Sequence, residues 1–187
     1  MVFLTQPSAH KLADGAFPVA PAPYHTIRTY AETFPHPAVE PVGRQVNSFG
    51  GQVIRTQAPY GFVTVRTPTF FTIHLPYFIT ARRERFLTAH FFAHTLIHLA
   101  GLPAHDTAAV ELPCGVFRCS VNPAVETQAN IFVSNLLMPE QEFTAAASEP
   151  EANMWTLSTR FGVSPLAAAT RAETLNLNLP MEDSTEI

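Results

Sequence analysis

Proline sets the first limit on what this chain can fold into. Pro18, Pro21, Pro23, Pro35, Pro37 and Pro41 crowd into residues 13 to 41. Each fixes its own φ and lacks a backbone N–H, which disfavours helix interiors and central strands alike. Residues 1–42 therefore read as a proline-rich arm, either extended against the body or disordered. Later prolines act as punctuation. Pro103, Pro113, Pro123, Pro139 and Pro165 fall where periodic patterns start or stop.

Between Gly43 and Pro76 the residues are β-branched and aromatic. Gln52–Arg55, Gly61–Arg66 and Thr69–Leu75 are short runs separated by Gly50-Gly51, Ala58-Pro59-Tyr60 and Thr67-Pro68. This pattern predicts a small antiparallel sheet of about three strands. From Ala81 to Ala100 the period changes: Phe86, Ala89, Ala93, Leu96 and Ile97 recur at helical spacing, and Gly101-Leu102-Pro103 stops the run. Residues 101 to 124 read as a loop that holds both cysteines, Cys114 and Cys119. Further helices are expected over 124–137, 151–161 and 165–175, the last capped by Ser164. Trp155 is expected in the core. Residues 179–187 read as an acidic tail.

Composition narrows the functional classes. The net charge is −4, and Arg82, Arg83 and Arg85 form the only basic cluster, so no basic stripe points to direct nucleic-acid binding. Charged residues are only 14% of the chain, which suits either a covered or partner-binding face or a long neutral segment such as the proline-rich start. Two cysteines do not make a disulfide scaffold. No signal peptide or membrane span is visible, which leaves a cytoplasmic expectation. The oligomeric state is not legible.

The chemistry lies in Arg85-Phe86-Leu87-Thr88-Ala89-His90-Phe91-Phe92-Ala93-His94. Histidines four apart on a helix share a face, one turn apart, as two nitrogen ligands of one tetrahedral zinc require. The same spacing also occurs in buried helices whose histidines are merely hydrogen-bonded. His98 extends the row by a turn. Glu126, at the start of the next helix, is the best third ligand. Asn130 follows four residues on and could accept the other N–H of a zinc-bound histidine. His90, His94 and Glu126 thus form a candidate metal set, with Asn130 and His98 as outer partners.

The flanks strengthen this reading. The run from Arg85 to His98 resembles the ImmA/IrrE metallopeptidase helix, approximately R-F-T-L-A-H-E-x-G-H-x-L-L-H. Glu126 to Pro139 is similar to that family's E-x-E-A-N-x-F-A-A-x-L-L-M-P signature. Leu157 to Arg171 is similar to its closing L-A-x-x-F-x-V-S-x-x-A-x-x-x-R-L segment. The three occur in order, within a domain placed at 43–178. The resemblance implies an α+β, zincin-like fold: a small sheet on an active-site helix, then a helical half. It places His90, His94 and Glu126 at metal positions, with zinc as the metal, and Asn130 at an outer position. It also implies an intracellular protein that acts on a helix-turn-helix repressor in phage, mobile-element or stress regulation.

One departure changes the functional expectation. The H-E-x-x-H glutamate, the general base for metal-bound water, is Phe91 here. Losing a positioned base commonly costs on the order of 10²–10⁴ in rate. If its ring faced the metal, Phe91 would also displace water. The leading expectation is therefore a catalytically compromised metallopeptidase that works as a regulatory binding module, docking on a helix-turn-helix regulator as an antirepressor or accessory protein. One alternative is an active zinc endopeptidase whose base has moved to Glu84, Asp106, Glu111 or His98. Another is a metal-free structural or assembly protein. Gln128 replaces an acidic residue of the second signature. Cys114 and Cys119 read first as two partly buried thiols or an occasional disulfide, and a cysteine that approaches the metal and replaces a ligand is the alternative.

Overall fold

Three β-rich runs and a fourth that the sequence does not advertise build one sheet. The computed structural model describes residues 23–38, 40–67, 70–99, 110–114 and 123–179. The strands are β1 (Gly51–Thr56), β2 (Gly61–Thr67), β3 (Phe70–Pro76) and β4 (Val110–Cys114). Their order is β1-β3-β2-β4. The chain reverses after β1 and again after β2, so β1 and β3 run the same way. Because β3 lies between β1 and β2, β1 pairs with it in parallel, with Val53 opposite Ile73. The β2–β3 and β2–β4 pairs are antiparallel. The sheet is thus mixed and not wholly antiparallel. β4 carries Cys114 and lies where a loop was expected. Glu111 pairs with Thr64 through the backbone. The side chains of β4, and residues Asp106 and Cys119, fall outside the described set.

Alternation sorts the two faces of the sheet. Val63 and Val65 of β2 and Phe71, Ile73 and Leu75 of β3 are buried. On the other face Phe62 stacks on His74 with ring centroids 4.2 Å apart. The His74 ring nitrogen Nε2 also lies 2.9 Å from Thr64 Oγ1. The inner face receives α3 (Ala81–His94), whose first turn is closed by Thr80 Oγ1 accepting from Arg83 N–H.

The helical half holds the rest of the core. Helix α4 (Pro123–Leu137) packs beside α3, with α5 (Glu140–Ala147), α6 (Met154–Phe161) and α7 (Pro165–Thr174) after it. Asn153 caps α6 reciprocally with Thr156. Gly162 closes α6 in the left-handed region at φ 64°, where a Cβ would be strained and would also sit 3.0 Å from Arg85 Nη1. Ser164 caps α7 by accepting from Ala167 N–H, as its sequence position predicts. The signal for α5 is weak, since only Phe143 and Ala146 of that helix are buried.

The proline-rich segment differs from expectation. Residues Tyr24–Glu32 form helix α1, and Val42–Ser48 form α2. The prolines flank these helices and do not interrupt them. Pro23 and Pro41 stand just before the first turns, where a missing N–H costs nothing. Ile27 and Ala31 of α1 are buried. The Tyr30 and Phe34 rings meet Phe132 of α4 at 6.0 and 5.5 Å, and Phe34 meets Phe92 of α3 at 5.6 Å. Residues 1–22 and 180–187 lie outside the described set.

Trp155 is not in the core: it is 54% exposed. Helix α6 buries Leu157, Ser158 and Phe161, so Met154 and Trp155 fall on its outer side.

Candidate metal centre

His90 and His94 sit in the buried last turns of α3, facing α4. The Nε2 atoms of the two histidines are 3.2 Å apart. Glu126, in the first turn of α4, brings one oxygen to 3.5 Å from His90 Nε2 and the other to 3.4 Å from His94 Nε2. All three residues are buried, and one ligand atom from each lies within 4.8 Å of the others.

These separations suit one ion. A tetrahedral zinc with bonds of about 2.0–2.1 Å sets its ligands about 3.3–3.4 Å apart. The two nitrogens and the carboxylate already stand near that spacing. Two imidazole nitrogens whose lone pairs converge on a carboxylate repel one another unless a proton or a cation lies between them. The donor set, two neutral imidazoles and a carboxylate, is one that zinc takes. The group could therefore hold a metal.

Burial keeps His94 ready for that role. Loss of hydration is the main cause holding it below the ordinary histidine value, at about 4. Hydrogen bonding to Glu126 opposes the drop, and the neighbouring His90 and His98 add to it. His94 is thus neutral near pH 7 and needs no deprotonation before it can ligate. His98 is also lowered, first by burial, against the opposing effects of Gln128 and Glu126.

The outer partners sit differently from one another. After His94 the helix passes into a π turn, Thr95–Leu99. Thr95 Oγ1 donates to the Phe91 carbonyl at 2.9 Å. A π turn takes more residues than an α turn, which counters the sideways drift of an i, i+4 row. His98 consequently stays under His94, with their Nδ1 atoms 3.1 Å apart. His98 Nε2 meets Gln128 Oε1 at 3.0 Å. Asn130 is exposed and makes no hydrogen bond to His90 or His94. The Nδ1 atom of His90 is buried and has no hydrogen-bond partner among the described residues. Sequence reasoning notes Gln128 only as a departure from the second signature and gives it no role; its signal is its place two residues after Glu126, on the same helix, where it is buried.

A groove of about 710 Å³ opens beside the histidines. Helices α3 and α4 and the α6–α7 turn line it, with Phe86, Leu87, Val133, Leu137, Met138 and Leu166 giving it an apolar wall. Arg82, Arg83, His90, Glu126 and Asn130 also line it. Glu126 is the only carboxylate that lines it among the described residues.

Phe91 does not line this groove. It is fully buried and points to the sheet, where a Cβ added to Gly61 would stand 2.8 Å from its ring. Its neighbour Phe92 is also fully buried and stacks at 6.4 Å on Phe71. The alternative bases divide. Glu84 is tied to Arg55 by an ion pair. His98 is enclosed between His94 and Gln128. Arg85 has no ion pair among the described residues, and its Nε is buried without a partner.

No helix of the described residues is long and apolar enough to cross a membrane. No curated protein matches the chain closely enough to count as a relative. A family model does match: Peptidase_M78, described as the IrrE N-terminal-like domain, covers residues 68–173, more than half of the chain. The match spans the histidine helix, the Glu126 helix and the α6–α7 turn. The chain belongs to the IrrE N-terminal-like family of M78 peptidases.

Proposed function

We propose that this protein holds a zinc ion yet regulates a protein partner by docking, without peptide hydrolysis. The observation that carries this is the placement of Phe91. The position that carries the base in H-E-x-x-H is apolar, wholly buried, packed on Gly61 and outside the groove. A zinc ion held by His90, His94 and Glu126 supplies a Lewis-acid centre. Hydrolysis also needs a base beside it, and Glu126 is committed to the two histidines. Glu84 is occupied by Arg55.

The groove supplies the docking surface. Its apolar wall suits the buried face of a helix or extended segment, and Arg82 and Arg83 suit acidic groups on the same partner. By analogy with ImmA/IrrE-like proteins, the partner in this reading is a helix-turn-helix regulator, and the chain acts as an antirepressor or accessory protein in the cytoplasm. This identification rests on family analogy.

The test is co-purification from the host, with the wild type beside Leu166→Glu and Phe86→Asp. The proposal expects an intact helix-turn-helix regulator, retained by the wild type and lost by both variants. A shortened regulator whose appearance depends on zinc and vanishes in His90→Ala would instead establish a working peptidase.

A further inference from the structure

Two buried residues outside the ligand set, His98 and Gln128, form a chain that ends at His94. We infer that Gln128, acting through His98, fixes His94 in the tautomer whose bare Nε2 faces His90 and Glu126. Both are positioning residues, and the inference rests on the proposed metal site only for its consequence.

Three contacts fix where the protons lie. The amide oxygen of Gln128 can only accept. It lies 3.0 Å from His98 Nε2, so that nitrogen carries the proton. Neutral His98 then has a bare Nδ1. That atom lies 3.1 Å from His94 Nδ1, and one of the two must donate. His94 therefore carries its proton on Nδ1, which leaves its Nε2 lone pair free. This lone pair is the one aimed at His90 Nε2, 3.2 Å away, and at Glu126. The reverse arrangement fails at its far end. It would set a bare His98 Nε2 against the Gln128 oxygen, two acceptors in contact, and would turn an N–H toward the metal position.

Burial gives the chain its force. His94, His98 and Gln128 are each at most 2% exposed, so water cannot substitute for a lost partner. The π turn Thr95–Leu99 is what keeps His98 within reach of both neighbours. A glutamine at 128 does this without charge. A glutamate would also accept only, and would keep the same tautomers; an aliphatic residue would release them.

The experiment is ¹⁵N NMR of the imidazole rings near pH 7 in the zinc-free full chain, together with zinc affinity by chelator competition. The wild type should show His94 protonated at Nδ1 and His98 at Nε2. Gln128→Leu should lose this signature at His98 and weaken zinc binding about 10–100-fold. Gln128→Glu should keep both. His94 protonated at Nε2 in the wild type would overturn the inference, without recourse to any variant. So would a Gln128→Leu protein with unchanged tautomers and unchanged zinc affinity. If the wild type shows the expected tautomers but takes up no zinc, the relay stands and the metal reading fails.

Discussion

Gly61 and Phe91 make a pair whose energetics test whether Phe91 is a structural part of the fold. A Cβ at residue 61 would lie 2.8 and 3.2 Å from two ring carbons of Phe91, and 3.3 Å from the His74 carbonyl oxygen. Carbon atoms in contact normally rest about 3.5–4.0 Å apart. Gly61→Ala must therefore push the ring, and overpacking of this kind costs about 1–3 kcal/mol. Against that, replacing glycine in a strand gains about 0.4–1 kcal/mol through the unfolded chain. The net expectation is a loss of about 0.5–2 kcal/mol in the wild-type background. In a Phe91→Leu background the ring is gone, and the same change should be neutral or stabilising by up to about 1 kcal/mol. Urea unfolding of the four proteins gives the coupling directly. If Gly61→Ala has the same effect in both backgrounds, Phe91 does not press on Gly61, and the case for an inward-facing Phe91 falls.

Other measurements bear on other parts of the fold. Zinc-free protein should lose stability as pH falls from about 6.5, the ordinary histidine value, toward 4, that of buried His94. The unfolded chain takes up the His94 proton first, so the penalty grows across that window to on the order of 3 kcal/mol, read as a falling urea midpoint. A midpoint that stays flat over this range would mean that His94 is hydrated. Exposed Trp155→Ala should change stability by no more than about 0.5 kcal/mol, whereas Phe132→Ala, at the centre of the aromatic cluster, should cost about 3–5 kcal/mol. Asn153→Ala should cost about 1 kcal/mol through the lost α6 cap, seen in thermal unfolding.

What could be read in the sequence, and what could not, follows from how local the signals are. The histidine row was legible because helix periodicity and ligand spacing are the same number. Ser164 was legible because a cap acts on the next turn of its own helix. Helix α1 is hidden because proline density over the whole arm argues against helix, while Pro23 and Pro35 merely bracket a short proline-free stretch. The parallel β1–β3 pair was hidden because adjacent runs favour simple hairpins, and nothing local shows that β3 inserts between its predecessors. Trp155 was misplaced because residue type argued for burial, yet the face of α6 is set by Leu157 and Phe161. The direction of Phe91 needed the sheet: only Gly61, on another element, shows where the ring goes. The role of Gln128 is hidden because its partner, His98, is brought to it by a π turn that no periodicity predicts.

The most direct test of the account is the zinc content of the purified protein, measured beside His90→Ala and Glu126→Ala with no metal or chelator added. About one zinc per chain is expected in the wild type, with its loss in both variants. A wild-type protein that takes up no zinc, even when zinc is supplied, would contradict it.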